Sequence, residues 1–435
     1  MLAQDGGRKG PGEVADMKAV VLTDNGQLRI EERPGPAGHS AAEHRDAAGV
    51  ATPGHGDASP DSAPLRPDPS WANPVLIRVA AAGVCGSDIP RAFHGKAYHY
   101  PLVLGHEFAG TVAEVPGEAQ DEGYSGAGAE GRPREDAGGH GPTRGETAPD
   151  TGEDESPRGF SPGDRVAVFP LIPRPEDPMT EIGEYAVGGG YDYFGSRRDG
   201  AFQEYLWVPE ANLVHVPDEV PLLHAALTEP AAVALHAVRR LAPEPGGTAL
   251  VVGGGPIGTI AAQWFRIMGV ERVLVSEVDP RKLEILRELD FETIDARRDD
   301  VEAAVMERTG GRGADWVLEA VGLPATFLQA LNCAAVFGRV VLMGNIAGDL
   351  EVPEKVVSSI LRREITILGT WNSRFTPRGH SEWNTVLRHM ARDLRIAPII
   401  SHTEPLERAP EILTAMAERS VWFNRVVLVA DPSAR

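Results

Sequence analysis

The sequence predicts an α/β fold in two parts: a β-rich N-terminal portion, followed by a doubly wound parallel sheet. Three observations predict it. From residue 248 onward, short apolar runs alternate strictly with helical segments, giving six strands with crossovers. The first of these strands enters a glycine-rich turn that opens a helix. Before residue 209 the apolar runs are short, β-rich and separated by glycine and proline, with no crossover helices between them. A chain of 435 residues is long enough for two or three domains with sizeable cores.

In order, residues 17–22 and 28–32 read as a hairpin across Asp24-Asn25-Gly26. Residues 1–16 carry no pattern and are expected to be a loose tail. Strands are expected at 74–79, 102–104, 108–112, 164–169 and 201–208, and one helix over 222–241 with Pro230 near its start. In the second half, strands are expected at 249–252, 273–276, 293–294, 315–318, 339–343 and 365–369. Helices at 381–392 and 405–419 and a strand at 426–429 then return towards the first part. The domains are therefore 17–236, 237–371 and a C-terminal segment 372–435. Residues 34–70 and 117–160 are Gly, Ala, Pro, Ser and acid with few large apolar groups. They cannot bury enough surface to offset chain entropy and read as disordered insertions; His39, His44 and His55 in the first are solvated polar residues.

The formal charge of −21 argues against nucleic acid or an anionic membrane as partner. Eleven acids against four basic residues in 117–159 supply −7 of it, so a third of the acidity says nothing about the substrate. Two cysteines in unlike contexts make no disulfide framework, and the start of the chain lacks an apolar secretory core. The expected compartment is the cytoplasm.

One cysteine stands in Gly83-Val84-Cys85-Gly86-Ser87-Asp88, and Gly105-His106-Glu107 follows twenty residues later. A soft thiolate, an imidazole and a carboxylate brought together in a water-poor cleft make a zinc site, and Glu229-Pro230 supplies a further carboxylate. The other cysteine, Cys333, precedes a strand among alanines and is assigned to the core. His224 and His236 lie on the 222–241 helix and are assigned to packing or capping.

Gly253, Gly255 and Gly258 satisfy G-x-G-x-x-G between a strand and a helix, with Pro256 and Ile257 in the turn. Such a turn lets backbone N–H groups approach a pyrophosphate at a helix N-terminus. Nineteen residues after Gly258, Glu277 ends the second strand, where an acid binds the adenine ribose hydroxyls and repels a 2′-phosphate. The expected cofactor is NAD, with Arg281 and Lys282 as the basic pair that argues for NADP.

These stretches, with Thr228-Glu229-Pro230 and Glu319-Ala320-Val321-Gly322, resemble the zinc-dependent medium-chain alcohol and polyol dehydrogenases. Cys85-Gly-Ser-Asp-Ile-Pro90, the 193–200 stretch and the 360–369 stretch are most similar to the galactitol-phosphate and sorbitol dehydrogenase branch. The resemblance implies a GroES-like catalytic domain, a Rossmann nucleotide domain, and one catalytic zinc between them. It implies Cys85, His106 and Glu229 as ligands, with Glu107 a ligand or a close neighbour of one. Cys85, Ser87, His106 and Glu107 become the catalytic set, and Val321 and Gly344 join the cofactor set. A dimer or tetramer is implied in the same way. The chain departs from the pattern twice. Where many relatives hold a structural zinc on four cysteines, it has Arg174, Asp177, Thr180 and Gly188, so no structural zinc is expected. Pro90 stands where a proton-relay histidine is common, leaving Ser87, water and the cofactor ribose, or Glu107, for the proton. Arg91, Lys96, Arg374 and Arg378 are candidates for a substrate phosphate. The competing readings are a threonine- or butanediol-type zinc enzyme, a zinc-free quinone or enoyl reductase, and a nucleotide binder without turnover.

Overall fold

The computed structural model describes residues 16–36, 65–116, 159–376 and 381–434. The expected tail up to residue 15, most of both expected insertions with His39, His44 and His55, and Arg378 lie outside the described residues.

The first part is β-rich. β1 (Met17–Asp24) and β2 (Gln27–Arg33) pair antiparallel, with Asp24 opposite Gln27 across the two-residue turn Asn25-Gly26. β3 (Pro74–Gly83) runs through the centre of a seven-stranded sheet and leads into the short helix α1 (Asp88–Phe93). β4 (Leu102–Val103) pairs with β1, and β5 (Glu107–Glu114) pairs with β3. β6 (Arg165–Val168), β7 (Leu171–Ile172), α2 (Pro178–Glu181), β8 (Asp192–Tyr193), β9 (Tyr205–Pro209) and β10 (Leu213–His215) follow. The end of the first expected insertion is structured: Trp207 Nε1 donates to Leu65 O at 3.2 Å and Arg198 Nη2 to Asp68 Oδ2 at 2.9 Å. In the lobe between β7 and β8, Asp177 is held by backbone hydrogen bonds. It caps α2 through Met179 N at 2.8 Å and accepts from Gly189 N at 2.7 Å.

The expected 222–241 helix is two helices, α3 (Leu222–Ala225) and α4 (Thr228–Leu241). Pro230 is the reason: it lacks an N–H, and its ring would clash with the carbonyl of Ala226 in a continuous helix. Thr228 Oγ1 caps the break by donating to Ala225 O at 2.7 Å. The expected 201–208 strand is also shorter. Ala201 N and Phe202 N donate to Gly105 O and Leu104 O, so this stretch crosses towards β1 before β9 pairs with β3.

The second part alternates as expected: β11 (Gly246–Val252), α5 (Pro256–Ile267), β12 (Val270–Glu277), α6 (Pro280–Glu288), β13 (Glu292–Asp295), α7 (Val301–Arg308), β14 (Ala314–Glu319), α8 (Pro324–Cys333), β15 (Ala334–Leu342), α9 (Glu354–Arg363) and β16 (Thr366–Gly369). All pairs are parallel in the order β13-β12-β11-β14-β15-β16, the doubly wound arrangement. Both faces of this sheet are covered. Val251, Val275 and Leu318 join one core, and Leu250, Leu274 and Val317 another, so the strands read as unbroken apolar runs. Cys333 is fully buried and burial pushes its thiol up to about 12, which keeps it inert.

α10 (Glu382–Met390), β17 (Ile400–Pro405), α11 (Ala409–Ala417) and β18 (Arg425–Val429) complete the chain. The expected 405–419 helix begins later, because Ile400–Pro405 is a strand paired with β18 and Pro410 sits in the first turn of α11. β18 in turn pairs antiparallel with the end of β3, from Val427 opposite Gly83 to Val429 opposite Ala81. No helix among the described residues is long and apolar enough to cross a membrane.

The Gly253–Gly258 turn is packed as closely as its spacing suggests: a Cβ on Gly258 would lie 1.9 Å from Gly253 O. Gly258→Ala therefore destabilises the fold by about 1–3 kcal/mol, the cost of overpacking. It also weakens nucleotide binding at this turn, which thermal melts and equilibrium titration with a nicotinamide dinucleotide read separately.

Candidate active site

The Cys85 loop is built by β3, α1 and β18 together. At Gly83, opposite Glu107 in the β3–β5 ladder, a Cβ would lie 2.4 Å from Glu107 Oε2, so only glycine lets that carboxylate reach the loop. Asp88 is fully buried and its Oδ2 accepts from Cys85 N at 2.9 Å, which folds the loop back on itself. The sulfur of Cys85 receives Ser87 Oγ–H at 3.2 Å and Ser87 N–H at 3.5 Å.

Cys85, His106 and Glu107 each present one donor atom, and these three atoms lie within 4.8 Å of one another. His106 and Glu107 are buried at 4% and 0% exposure and Cys85 is half-buried. Nδ1 of His106 is buried without a hydrogen-bond partner and faces Asp88 Oδ1 at 3.5 Å. Burial opposes a charge on His106, but Asp88 and Cys85 outweigh it and raise its pKa well above the usual range. A thiolate, an imidazole steadied by a carboxylate behind it, and a second carboxylate form a donor set that fits zinc.

Glu229, the resemblance's third ligand, is buried but lies outside this tight group. Its Oε1 accepts from Tyr193 Oη at 3.2 Å, and the Tyr193 ring lies 5.7 Å from that of His106. Burial raises the Glu229 pKa to about 7, with Glu107 adding to the rise and His106 opposing it. Glu107, by contrast, is held by a buried arginine. Arg425 Nη1 donates to both Glu107 oxygens at 2.9 and 3.0 Å and to Val84 O at 2.9 Å.

Ser87 is engaged: it accepts from Arg91 Nη1 at 2.7 Å while donating to Cys85. That contact commits Arg91, and an ion pair to Glu184 commits Arg374. Lys96 is exposed. His236 pairs with Glu382 at 3.1 Å, and burial lowers the pKa of half-buried His224, so both serve packing.

The nucleotide residues converge at the carboxyl ends of β11, β12 and β14. Glu277 is buried and receives three backbone N–H groups: Gly254 at 2.9 Å, Val278 at 2.7 Å and Asp279 at 2.9 Å. Gly255, Pro256, Ile257, Gly258 and Lys282 line a cleft of about 260 Å³ whose other wall includes Val84, Gly86 and Arg425. The cysteine loop and the glycine turn thus open onto one cleft. Val321 and Gly344 are both tied to Glu319: Val321 N donates to its Oε1 at 2.9 Å and Gly344 N to its carbonyl at 3.0 Å. Arg281 lies over the Trp422 ring, 4.5 Å from its centroid.

Although Tyr193 and Glu319 open stretches that carry the resemblance, sequence reasoning gave no site role to Tyr193, Glu319 or Arg425. An acid ending one apolar strand and an arginine opening another are the signals that mark the last two. The Tyr193 hydroxyl gives no such sign.

Residues 72–125 match the alcohol dehydrogenase GroES-like domain, and residues 256–392 the zinc-binding dehydrogenase domain. The chain carries both domains of the zinc-binding alcohol dehydrogenases. It is an oxidoreductase of that zinc-type alcohol/polyol family. This dehydrogenase is 28% identical to galactitol 1-phosphate 5-dehydrogenase of Escherichia coli (strain K12) over 368 residues, covering 83% of this chain and 94% of that protein. It is 28% identical to sorbitol dehydrogenase of Gallus gallus over 426 residues, 95% and 97% of the two chains. The crystal structure of galactitol-1-phosphate dehydrogenase from Escherichia coli superposes with a TM-score of 0.73 at 25% identity, covering 95% of this dehydrogenase and 100% of that chain.

Two outcomes follow from the geometry. Arg425→Met leaves Glu107 buried without its partner and destabilises the protein by about 3–5 kcal/mol. Adding Glu107→Gln recovers part of that loss, so the double variant is more stable in denaturant titrations than the sum of single effects. Second, a carboxyl whose folded pKa is raised adds stability that is fully present below its unfolded value of 4.5 and is lost as pH rises through about 7. In the zinc-stripped protein, stability therefore falls from pH 4.5 to 7, and Glu229→Gln flattens that fall in urea titrations across the range.

Proposed function

We propose that this dehydrogenase oxidises a secondary hydroxyl of a polyol or polyol phosphate, passing a hydride to NAD+. The observation that carries the reading is the Cys85–His106–Glu107 group, with Val84 and Gly86 on either side of Cys85 lining the same cleft as Gly255 to Gly258. Cys85 and His106 would hold one zinc, with Glu107 or Glu229 as the carboxylate. When bound there, zinc supplies the Lewis acidity that lowers the pKa of a substrate hydroxyl. Asp88 keeps the His106 ring in place, and Arg425 keeps Glu107 turned towards the loop. Ser87, which accepts from Arg91 Nη1 and donates to Cys85 Sγ, would relay the substrate proton, its hydroxyl taking up one proton as it passes its own to water. Glu277 accepts from the adenine ribose hydroxyls, and its negative charge disfavours a 2′-phosphate. Val321 and Gly344, held by their shared anchor Glu319, would contribute to holding the nucleotide. The names of the relatives favour a polyol, phosphorylated or not.

The two-cysteine composition favours the cytoplasm. A second copy of the chain is the proposed partner. The edge strand β16 exposes Ile367, and the neighbouring β15 and α9 expose Phe337 and Leu361, apolar side chains that an extended sheet would cover.

The test is metal analysis joined to a substrate panel. The purified protein holds one zinc per chain and loses turnover on chelation. Cys85→Ala holds no zinc and loses at least about 100-fold in kcat/KM while still binding NAD. Across sorbitol, galactitol 1-phosphate, butanediol and threonine, kcat/KM is highest for a polyol or its phosphate. Less than one zinc with activity surviving chelation overturns the zinc reading in favour of a zinc-free reductase. Preference for butanediol or threonine overturns the polyol reading.

A further inference from the structure

The loop between α11 and β18 belongs to the catalytic sheet by chain order, yet it touches the nucleotide domain beside the ribose-binding acid. Trp422 Nε1 donates to Asp279 Oδ2 at 2.6 Å. Asp279 stands two residues beyond Glu277 and caps α6, its Oδ1 accepting from Arg281 N at 2.9 Å. The same Asp279 oxygen lies 3.6 Å from Arg281 Nε, and the Arg281 guanidinium lies over the Trp422 ring at 4.5 Å. Phe423 and Asn424, the next two residues of the loop, line the nucleotide cleft together with Lys282.

This arrangement changes what the basic pair can do. In sequence, Arg281 and Lys282 are equal candidates to hold a ribose 2′-phosphate. In the fold they differ: Arg281 is drawn onto an indole face and beside a carboxylate, whereas Lys282 faces the cleft. A guanidinium stacked on Trp gains a cation–π contact that it must give up to reach a phosphate. The Asp279 carboxylate, turned by the indole N–H, adds negative charge at the same rim.

We propose that Trp422 is a cofactor-specificity residue: it reaches across from the catalytic domain, sequesters Arg281 with Asp279, and so withholds the guanidinium from a 2′-phosphate. The proposal rests on the reading of Glu277 as the ribose acid. It assigns a second element of discrimination that comes from the other domain.

The experiment needs no substrate. The full-length protein is titrated calorimetrically with adenosine 5′-monophosphate and with adenosine 2′,5′-bisphosphate, which differ by the 2′-phosphate alone. In Trp422→Ala, affinity for the bisphosphate rises about tenfold, the scale of one charge-assisted hydrogen bond, while affinity for the monophosphate stays within about twofold. Arg281→Ala alone leaves bisphosphate binding unchanged, and in the Trp422→Ala background it removes the gain. Trp422→Phe keeps a ring and loses the N–H, and gives a smaller gain of the same sign; it carries the test if the alanine variant fails to bind the monophosphate. An unchanged ratio of the two affinities in the substituted proteins, or a gain that survives Arg281→Ala, overturns the proposal. The reading of Glu277 fails separately, if the unsubstituted protein binds the bisphosphate more tightly than the monophosphate.

Discussion

The buried ion pair between Arg425 and Glu107 is the constraint on which the site depends. Its two partners are 318 residues apart in sequence. Both charges are almost wholly removed from water, so neither is stable there without the other. By also donating to Val84 O, the arginine ties the first residue of the last strand to the loop that carries Cys85. The cysteine, the histidine–glutamate pair and the C-terminal strand are thereby locked in one arrangement. Gly83 makes room for it and Asp88 closes it from the other side.

A second consequence is a division of labour between carboxylates. Glu107 faces a permanent cation, while Glu229 faces a phenol hydroxyl and carries a pKa raised by burial. Two acids of the same chemistry thus meet different partners, one a guanidinium and the other a phenol. The cleft between the domains is framed by the same logic. α4 carries Glu229 at its N-terminal end, and its Ala231 carbonyl receives Trp264 Nε1 of α5 at 3.1 Å. The helix that presents a catalytic-site carboxylate is therefore packed on the helix that opens from the glycine turn.

Where sequence reasoning fell short, the reason was a long-range contact or a proline. The 222–241 pattern has apolar spacing for one helix, but Pro230 forbids the bond that would carry it through Ala226. The strand at Ile400–Pro405 has a mixed pattern and is defined by its parallel partner β18. Asp177, read as the absence of a thiol, holds its lobe by two backbone hydrogen bonds. Arg91 and Arg374, named as candidates for a substrate phosphate, each bond to a neighbouring side chain.

By itself the sequence determined the features that follow from local pattern and short spacing. These are the alternating sheet with its order of strands and helices, the glycine turn ahead of α5, Glu277 at the end of β12, and the pairing of Cys85 with a nearby His-Glu step. Each rests on periodicity or on backbone chemistry within about twenty residues, which a linear reading contains. Only the tertiary structure decided which carboxylate is neutralised, that Tyr193 reaches Glu229, and that Trp422 captures Arg281. Those outcomes depend on side chains from 36 to 318 residues apart meeting in the fold, where burial and partner choice set charge and no local pattern records them.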